Sequence, residues 1–147
     1  MEPGPTVLFR RGIPPLGRQG LRKFAARLAQ QVTGGRPFCC LVTRDPELRR
    51  LNRDFRALDK PTDVLSFPAG SPEGNLGDVA ISIDRALAQS AALGHDLETE
   101  ISVLMLHGVL HLLGHDHERD RGRMRRLENS LRRTLGLPSG LIERSVG

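Results

Sequence analysis

Residues 107–117 read His-Gly-Val-Leu-His-Leu-Leu-Gly-His-Asp-His, and His107, His111 and His117 fall in the spacing H-x-x-x-H-x-x-G-x-x-H. Four residues on a helix is a little over one turn, so His107 and His111 share a face. Gly114 can take a positive φ, end the helix and let the chain turn. His117 then returns toward the first two. Three imidazoles meeting at one point leave a coordination position open, which is the pattern of a catalytic rather than a structural zinc site. The segment therefore demands a long helix, a glycine stop and a tight return in the same fold.

A lone histidine on an apolar helix is usually a packed or hydrogen-bonded residue. Here four of the five histidines fall within these eleven residues, embedded among Leu106, Leu110, Leu112 and Leu113. A buried imidazole there needs a partner, and a shared metal ion satisfies several at once. His115 reads as a supporting or loop residue rather than a fourth ligand. The metzincin peptidases use H-E-x-x-H with the glutamate as general base. This chain has Gly108 at that position, so the metal geometry of a zinc hydrolase is expected without the peptidase base.

The chain has 147 residues, 38% hydrophobic and 27% charged, which fits one ordinary globular domain with a core of its own. The longest apolar stretch, residues 101–113, is interrupted by two histidines and is too short and polar to span a bilayer. The first eleven residues lack an apolar signal core. These features lead to the expectation of a cytoplasmic protein with no membrane partner. Cys39 and Cys40 are adjacent and on a strand would point to opposite faces, so they are expected to be unbonded. The formal charge is +5, carried by 20 Arg and two Lys, which favours a polyanionic partner. Seven Arg crowd residues 119–133. They fit either such a contact or a solvated helix face balanced by Glu118, Asp120 and Glu128. With no Tyr or Trp and five Phe, any base stacking must use Phe rings or Arg planes.

Patterning predicts a strand at 6–10, a helix at 18–32 and a strand at 37–43. A second helix is expected, capped by Asp45 with Pro46 at its first position, carrying Leu48, Leu51 and Phe55 inward and ending near Arg56 or Ala57. A turn at 59–63, a strand at 64–68, a loop and a strand at 78–83 follow. Asp84 is expected to cap a helix to Leu93, stopped by Gly94. The histidine helix begins at Asp96 or Leu97, and the last helix spans 118–135. The tail from Gly136 to Gly147 is expected to be loosely ordered. Strands and helices mix without strict alternation. The expectation is a single α+β domain over residues 1–147, with a small mixed sheet of about four strands packed with about five helices. The metal site lies on a central, buried helix and the turn after it.

Three blocks together resemble the YbeY endoribonucleases, the bacterial rRNA maturation factors. They are Leu51-Asn52-x-x-Phe55-Arg56-x-x-Asp59-Lys60-Pro61-Thr62-Asp63-Val64-Leu65-Ser66-Phe67-Pro68, then Leu76-Gly77-Asp78-Val79-Ala80-Ile81, then His107-Gly108-x-Leu110-His111-Leu112-x-Gly114-x-Asp116-His117. They occur in the family's order and cover roughly residues 36–117. The family commonly has Tyr where this chain has His115. The resemblance implies a metal-dependent endoribonuclease that prefers single strands and acts in 16S rRNA 3′-end maturation and ribosome quality control. It implies His107, His111 and His117 as ligands of one Zn2+, other divalent metals being possible, and Arg56 as a critical basic residue facing the site. It further implies the 16S precursor, small ribosomal subunit proteins and an assembly GTPase as partners.

The chemistry fits those residue types. Zinc lowers the pKa of a bound water to about 7 and polarises a phosphoryl oxygen. A guanidinium such as that of Arg56 stays protonated and offers paired donors to a phosphate that gains negative charge. Asp63 and Asp78 are candidates for orienting a ligand or Arg56, beside the plainer reading of cap and turn residues. Glu100, on the same helix face as His107, is either a carboxylate supporting the metal or, preferably, a structural polar residue. No general base is evident, and attack by water or by the RNA 2′-hydroxyl both remain open. Two other readings compete: a zinc hydrolase of peptidase type, disfavoured by Gly108, and a non-catalytic ribosome assembly module with a structural zinc.

Overall fold

The structure is a computed structural model that describes residues 4–14, 17–70, 74–115 and 122–138. In chain order the elements are β1 (Thr6–Phe9), α1 (Arg18–Gln31), β2 (Cys39–Thr43), α2 (Asp45–Arg56), β3 (Val64–Pro68), β4 (Gly77–Ser82), α3 (Ile83–Leu93), α4 (Leu97–Leu112) and α5 (Arg123–Leu135). The four strands form one sheet in the order β1-β2-β4-β3. β1, β2 and β4 are parallel, while β3 is antiparallel to β4 and lies at the edge. The expected α+β architecture, with a mixed four-stranded sheet and five helices, is present.

Strand alternation separates the two faces of the sheet. Val7, Cys40, Val42, Val79 and Ile81 point into the larger core, against Leu21, Phe24 and Leu28 of α1 and the apolar residues of α4. Leu65 and Ala80 point to the other face, where Leu48, Leu51 and Phe67 complete a small second core under α2. The histidine helix α4 and the Arg56 helix α2 therefore pack on opposite faces of one sheet. On α4 every residue from Glu100 to Leu110 is buried, as a central helix without an amphipathic stripe requires. Cys39 and Cys40 are both unbonded. Burial pushes the Cys40 thiol well above the ordinary range, and burial followed by the nearby Asp78 carboxylate raises that of Cys39.

Three local expectations are corrected. Asp45 and Asp84 do not cap their own helices. Ser82 caps α3 by accepting from the Arg85 backbone N–H at 3.2 Å, and Arg44 holds the cap position of α2. The two helix starts are tied to each other instead. The Asp45 N–H donates to Asp84 Oδ2 at 2.8 Å, and Ser82 Oγ donates to Asp45 Oδ1 at 2.6 Å. Phe55 is not inward. It is 68% exposed, with the edge of the Phe67 ring 5.2 Å from its own between centroids as its aromatic neighbour. The last helix begins at Arg123, with Gly122 at its cap at φ +83, a conformation that cannot continue a helix; residues 118–121, where its start was expected, lie outside the described residues. Of the tail, Gly136 ends α5 with φ +75 and Leu137 bonds back to the Arg132 carbonyl at 2.8 Å. Residues 139–147 lie outside the described residues.

Candidate metal centre

α4 puts His107 and His111 one turn apart, with their Nε2 atoms 3.1 Å from each other and their rings crossed at 73°. Two nitrogens each about 2.0–2.1 Å from one tetrahedral ion lie roughly 3.3–3.4 Å apart, so the pair fits a shared cation within a few tenths of an ångström. The same separation also suits a hydrogen bond between two neutral rings, and the far side of His107 favours the cation. Its Nδ1 lies 3.1 Å from Glu128 Oε2. A carboxylate only accepts, so Nδ1 carries the proton and Nε2 keeps its lone pair for a metal. The helix then stops as expected. Gly114 has φ +96, its N–H reaches the His111 carbonyl, and the His115 N–H reaches that of Leu110, which is the Schellman arrangement. His115 is half-buried just past that turn. The expected third ligand, His117, and Asp116 lie outside the described residues. Among the described residues no group of three His, Cys, Asp or Glu side chains could hold an ion.

Glu128 was not singled out by sequence reasoning. It is 1% exposed, and Arg132 beside it is 2% exposed, so this part of the arginine-rich helix is not the solvated face allowed for above. Arg132 Nη1 donates to Glu128 Oε1 at 3.1 Å, which balances the buried carboxylate, and its Nε donates to the Pro138 carbonyl. Met124, Glu128, Arg132 and Leu135 are the buried residues of α5. A Glu and an Arg four apart on the same stripe as Met and Leu would have been the signal. Seven arginines in the segment hid it.

Gly108 has a packing reason. A Cβ there would lie 2.6 Å from Val79 Cγ1 and 3.2 Å from Ser66 Oγ, and Ser66 Oγ donates to the Gly108 carbonyl at 2.8 Å. The helix rests on β3 and β4 so closely that even a methyl group here would have to displace the Val79 side chain, and a glutamate has no room. Glu100 is fully buried, with its Oε1 2.6 Å from His95 Nε2, in line with a structural polar residue. Asp63 accepts from Gln89 Nε2 at 3.1 Å, and Asp78 is exposed on β4.

Arg56 is the exposed last residue of α2. The arginines before it, Arg49, Arg50 and Arg53, each pair with a carboxylate, of Asp59, Glu47 and Asp54 respectively. Among the described residues Arg56 has no such pair. Ala57 in the left-handed region ends the helix, with φ 58. Asn52, 1% exposed, holds the following turn by donating to the Lys60 carbonyl at 2.9 Å. Among the described residues the structure does not put Arg56 in contact with His107 or His111, because α2 lies on the other face of the sheet. It does set the two at adjacent levels of the edge strand. Ser66 contacts α4 at Gly108, and the next residue, Phe67, contacts α2 at Phe55. An open depression of about 500 Å³ runs beside α2, lined by Asp45, Pro46, Arg49, Arg50, Arg53 and Pro61, and includes neither histidine.

No helix among the described residues is long and apolar enough to cross a membrane. Compared with known proteins, residues 21–136 match the family described as Endoribonuclease YbeY. A protein of Solibacter usitatus named Endoribonuclease YbeY is 61% identical over 141 residues, which is 96% of this chain and 95% of that one. A protein of the same name from Koribacter versatilis is 50% identical over 95% of this chain and 91% of its own. A Thermotoga maritima protein with a known solution structure shares the fold at a TM-score of 0.57 and 24% identity, covering 78% of this chain and 76% of its own.

Proposed function

The chain belongs to the YbeY endoribonuclease family, and on that premise we propose that it is a metal-dependent endoribonuclease that cleaves single-stranded segments of the 16S rRNA precursor. The observation that carries the metal dependence is the buried relay from Glu128 through His107, which leaves two Nε2 atoms 3.1 Å apart on one helix face. His107 and His111 would hold the ion, with His117 as third ligand by its place in the motif, and an all-imidazole set suits Zn2+ among the common divalent ions. When bound, such an ion polarises a phosphoryl oxygen and acidifies a water.

The chain's own residues do the rest. Glu128 keeps the His107 proton on Nδ1 and the ring aligned. The guanidinium of Arg56 pairs with a phosphate oxygen and holds its charge through the reaction. The net charge of +5 draws the polyanion to the surface. The peptidase alternative loses ground to the packing of Gly108, which leaves no space for that family's base. Cytoplasmic location, ribosomal small-subunit proteins and an assembly GTPase belong to the same proposal. The test is metal analysis of the purified protein joined to cleavage of a 16S precursor. His111→Ala should lose both metal and cleavage. Arg56→Ala should keep metal and thermal stability while cleavage falls by at least tenfold. Cleavage that survives full removal of metal refutes the proposal. Full activity of Arg56→Ala favours a non-catalytic assembly module.

A further inference from the structure

We propose that the exposed face of Phe55 is a stacking platform for one base of a single-stranded RNA whose phosphate is held by Arg56. This rests on the RNA-directed reading above and adds a base-binding subsite to it.

The five phenylalanines are the chain's only six-membered aromatic rings, and their placement leaves one choice. Phe24 and Phe38 are buried in the core. Phe9 packs against that core and carries the guanidinium of Arg18 over its ring at 4.6 Å and that of Arg22 at 5.5 Å. Phe67 is half-buried against the second core. Phe55 alone is offered to solvent, at 68%. Its ring is braced by Phe67 at 5.2 Å in an edge-on contact with an interplanar angle of 66°. A ring supported by a half-buried neighbour is stiffer than a free surface side chain, so less entropy is lost when a base stacks on it.

The surroundings suit a nucleotide better than an apolar protein partner. Arg56 follows directly, exposed and, among the described residues, without a carboxylate partner. Arg53 and Lys60 are exposed nearby. One apolar plane beside cations is the arrangement that binds single-stranded nucleic acid with little sequence preference. A paired base is stacked on both sides and cannot cover the ring, so the platform discriminates against duplex.

The experiment uses the whole chain and three probes: a short single-stranded oligoribonucleotide, the same strand with one abasic position scanned along it, and the matching duplex. Phe55→Ala should weaken single-strand binding by about five- to 150-fold, the range of one base–aromatic stack. It should raise KM more than it lowers kcat, and leave Tm near that of wild type because the side chain is exposed. Phe55→Trp, in a chain with no other Trp or Tyr, should retain affinity. Its fluorescence should be quenched by the single strand, but not by duplex or by inorganic polyphosphate, and one abasic position should abolish the quench. Unchanged binding by Phe55→Ala, or equal quenching by polyphosphate, overturns the platform. So does a shift in sedimentation of Phe55→Ala with RNA binding intact, which would make the patch a self-association surface. Failure of the wild-type protein itself to bind or cleave single-stranded RNA is a separate result, and it removes the functional reading before any variant is compared.

Discussion

Replacing Glu128 by Gln changes no volume, yet the geometry predicts that it disables His107 as a ligand. Arg132 has only donors, so the Gln carbonyl must turn to Arg132 Nη1, which now meets Oε1 at 3.1 Å. The amide NH2 is then directed at His107 Nδ1, where the carboxylate oxygen stood at 3.1 Å. Two donors cannot face each other, so the imidazole shifts its proton to Nε2, the atom that the metal needs. Loss of such a supporting contact typically costs about 10- to 100-fold in metal affinity, which is about 1.4–2.7 kcal/mol. The same change removes the Glu128 charge from beside Arg132, 2% exposed, and breaking a buried pair costs about 3–5 kcal/mol. That is a large share of the roughly 5–15 kcal/mol that holds a domain folded, so the single variant should melt well below wild type.

The double variant Glu128→Gln/Arg132→Met separates the two effects. With the guanidinium gone, the Gln carbonyl is free to face Nδ1, and the tautomer returns. Stability should recover, since an apolar replacement of a buried pair is often neutral or better, and most of the lost metal affinity should return with it. Zinc affinity is read by competition with a chromophoric chelator at one pH. The His107 tautomer is read directly from long-range nitrogen–proton NMR correlations. A single variant that binds zinc like wild type refutes the tautomer reasoning, as does a stable double variant that binds no better than the single one.

Gly108→Ala should destabilise by about 1 kcal/mol net, because overpacking against Val79 costs roughly 1–3 kcal/mol while helix propensity returns about 1. In a thermal denaturation series, combining it with Val79→Ala should cost less than the sum of the two single changes. Glu47 bonds Arg10 at 2.9 Å, with Thr43 and Arg50 adding to the effect, and its carboxyl is pulled down from the usual 4.5 to about 2. A depressed carboxyl stabilises the fold above about pH 4.5 and loses that contribution as pH falls toward 2. Since Arg10 and Arg50 are 56% and 54% exposed, the contribution is at most about 1 kcal/mol. Glu47→Gln should remove that part of the acid slope in stability measured between pH 5 and 2.

The elements were legible because each carries its own period and stop. Alternation marks β4, the stripe of Leu21, Phe24, Ala25 and Leu28 marks α1, and Gly94 and Gly114 end their helices with positive φ. What was not legible depends on which elements meet. Asp45 and Asp84 look like ordinary caps, yet each serves the other's helix, and only the tertiary arrangement of α2 beside α3 decides that. Phe55 shares a stripe with Leu48 and Leu51, but that stripe is covered only while the second core lies beneath it. Glu128 reads as one more charge on a charged helix until α5 is seen against α4. The pairing of His107 and His111 was legible because both residues sit on one helix, where spacing alone sets their separation. Arg56 is marked out in the sequence only by the block it belongs to, and its neighbourhood is made by a different layer from that of the histidines.

The layering has a consequence for how a substrate meets the protein. Ser66 and Phe67 are consecutive on β3, so the pleat sends one to α4 and the other to α2. A slip of one residue in the pairing of β3 with β4 would exchange those faces, placing the Phe67 ring where Gly108 now lies against the sheet and Pro68 in the place of Phe67 under Phe55. The order Leu65-Ser66-Phe67-Pro68 thus sets the relation between the histidine helix and the Arg56 helix, although none of the four residues bears a ligand or a cation. The two helices are separated by the thickness of a sheet whose outermost strand is β3. A chain that reaches both the histidines and the Phe55–Arg56 pair must therefore pass around that edge. A flexible single strand can turn there more readily than a stiff duplex. On the proposed reading, a preference for unpaired RNA would then follow from the register of one short edge strand as much as from any side chain that touches a base.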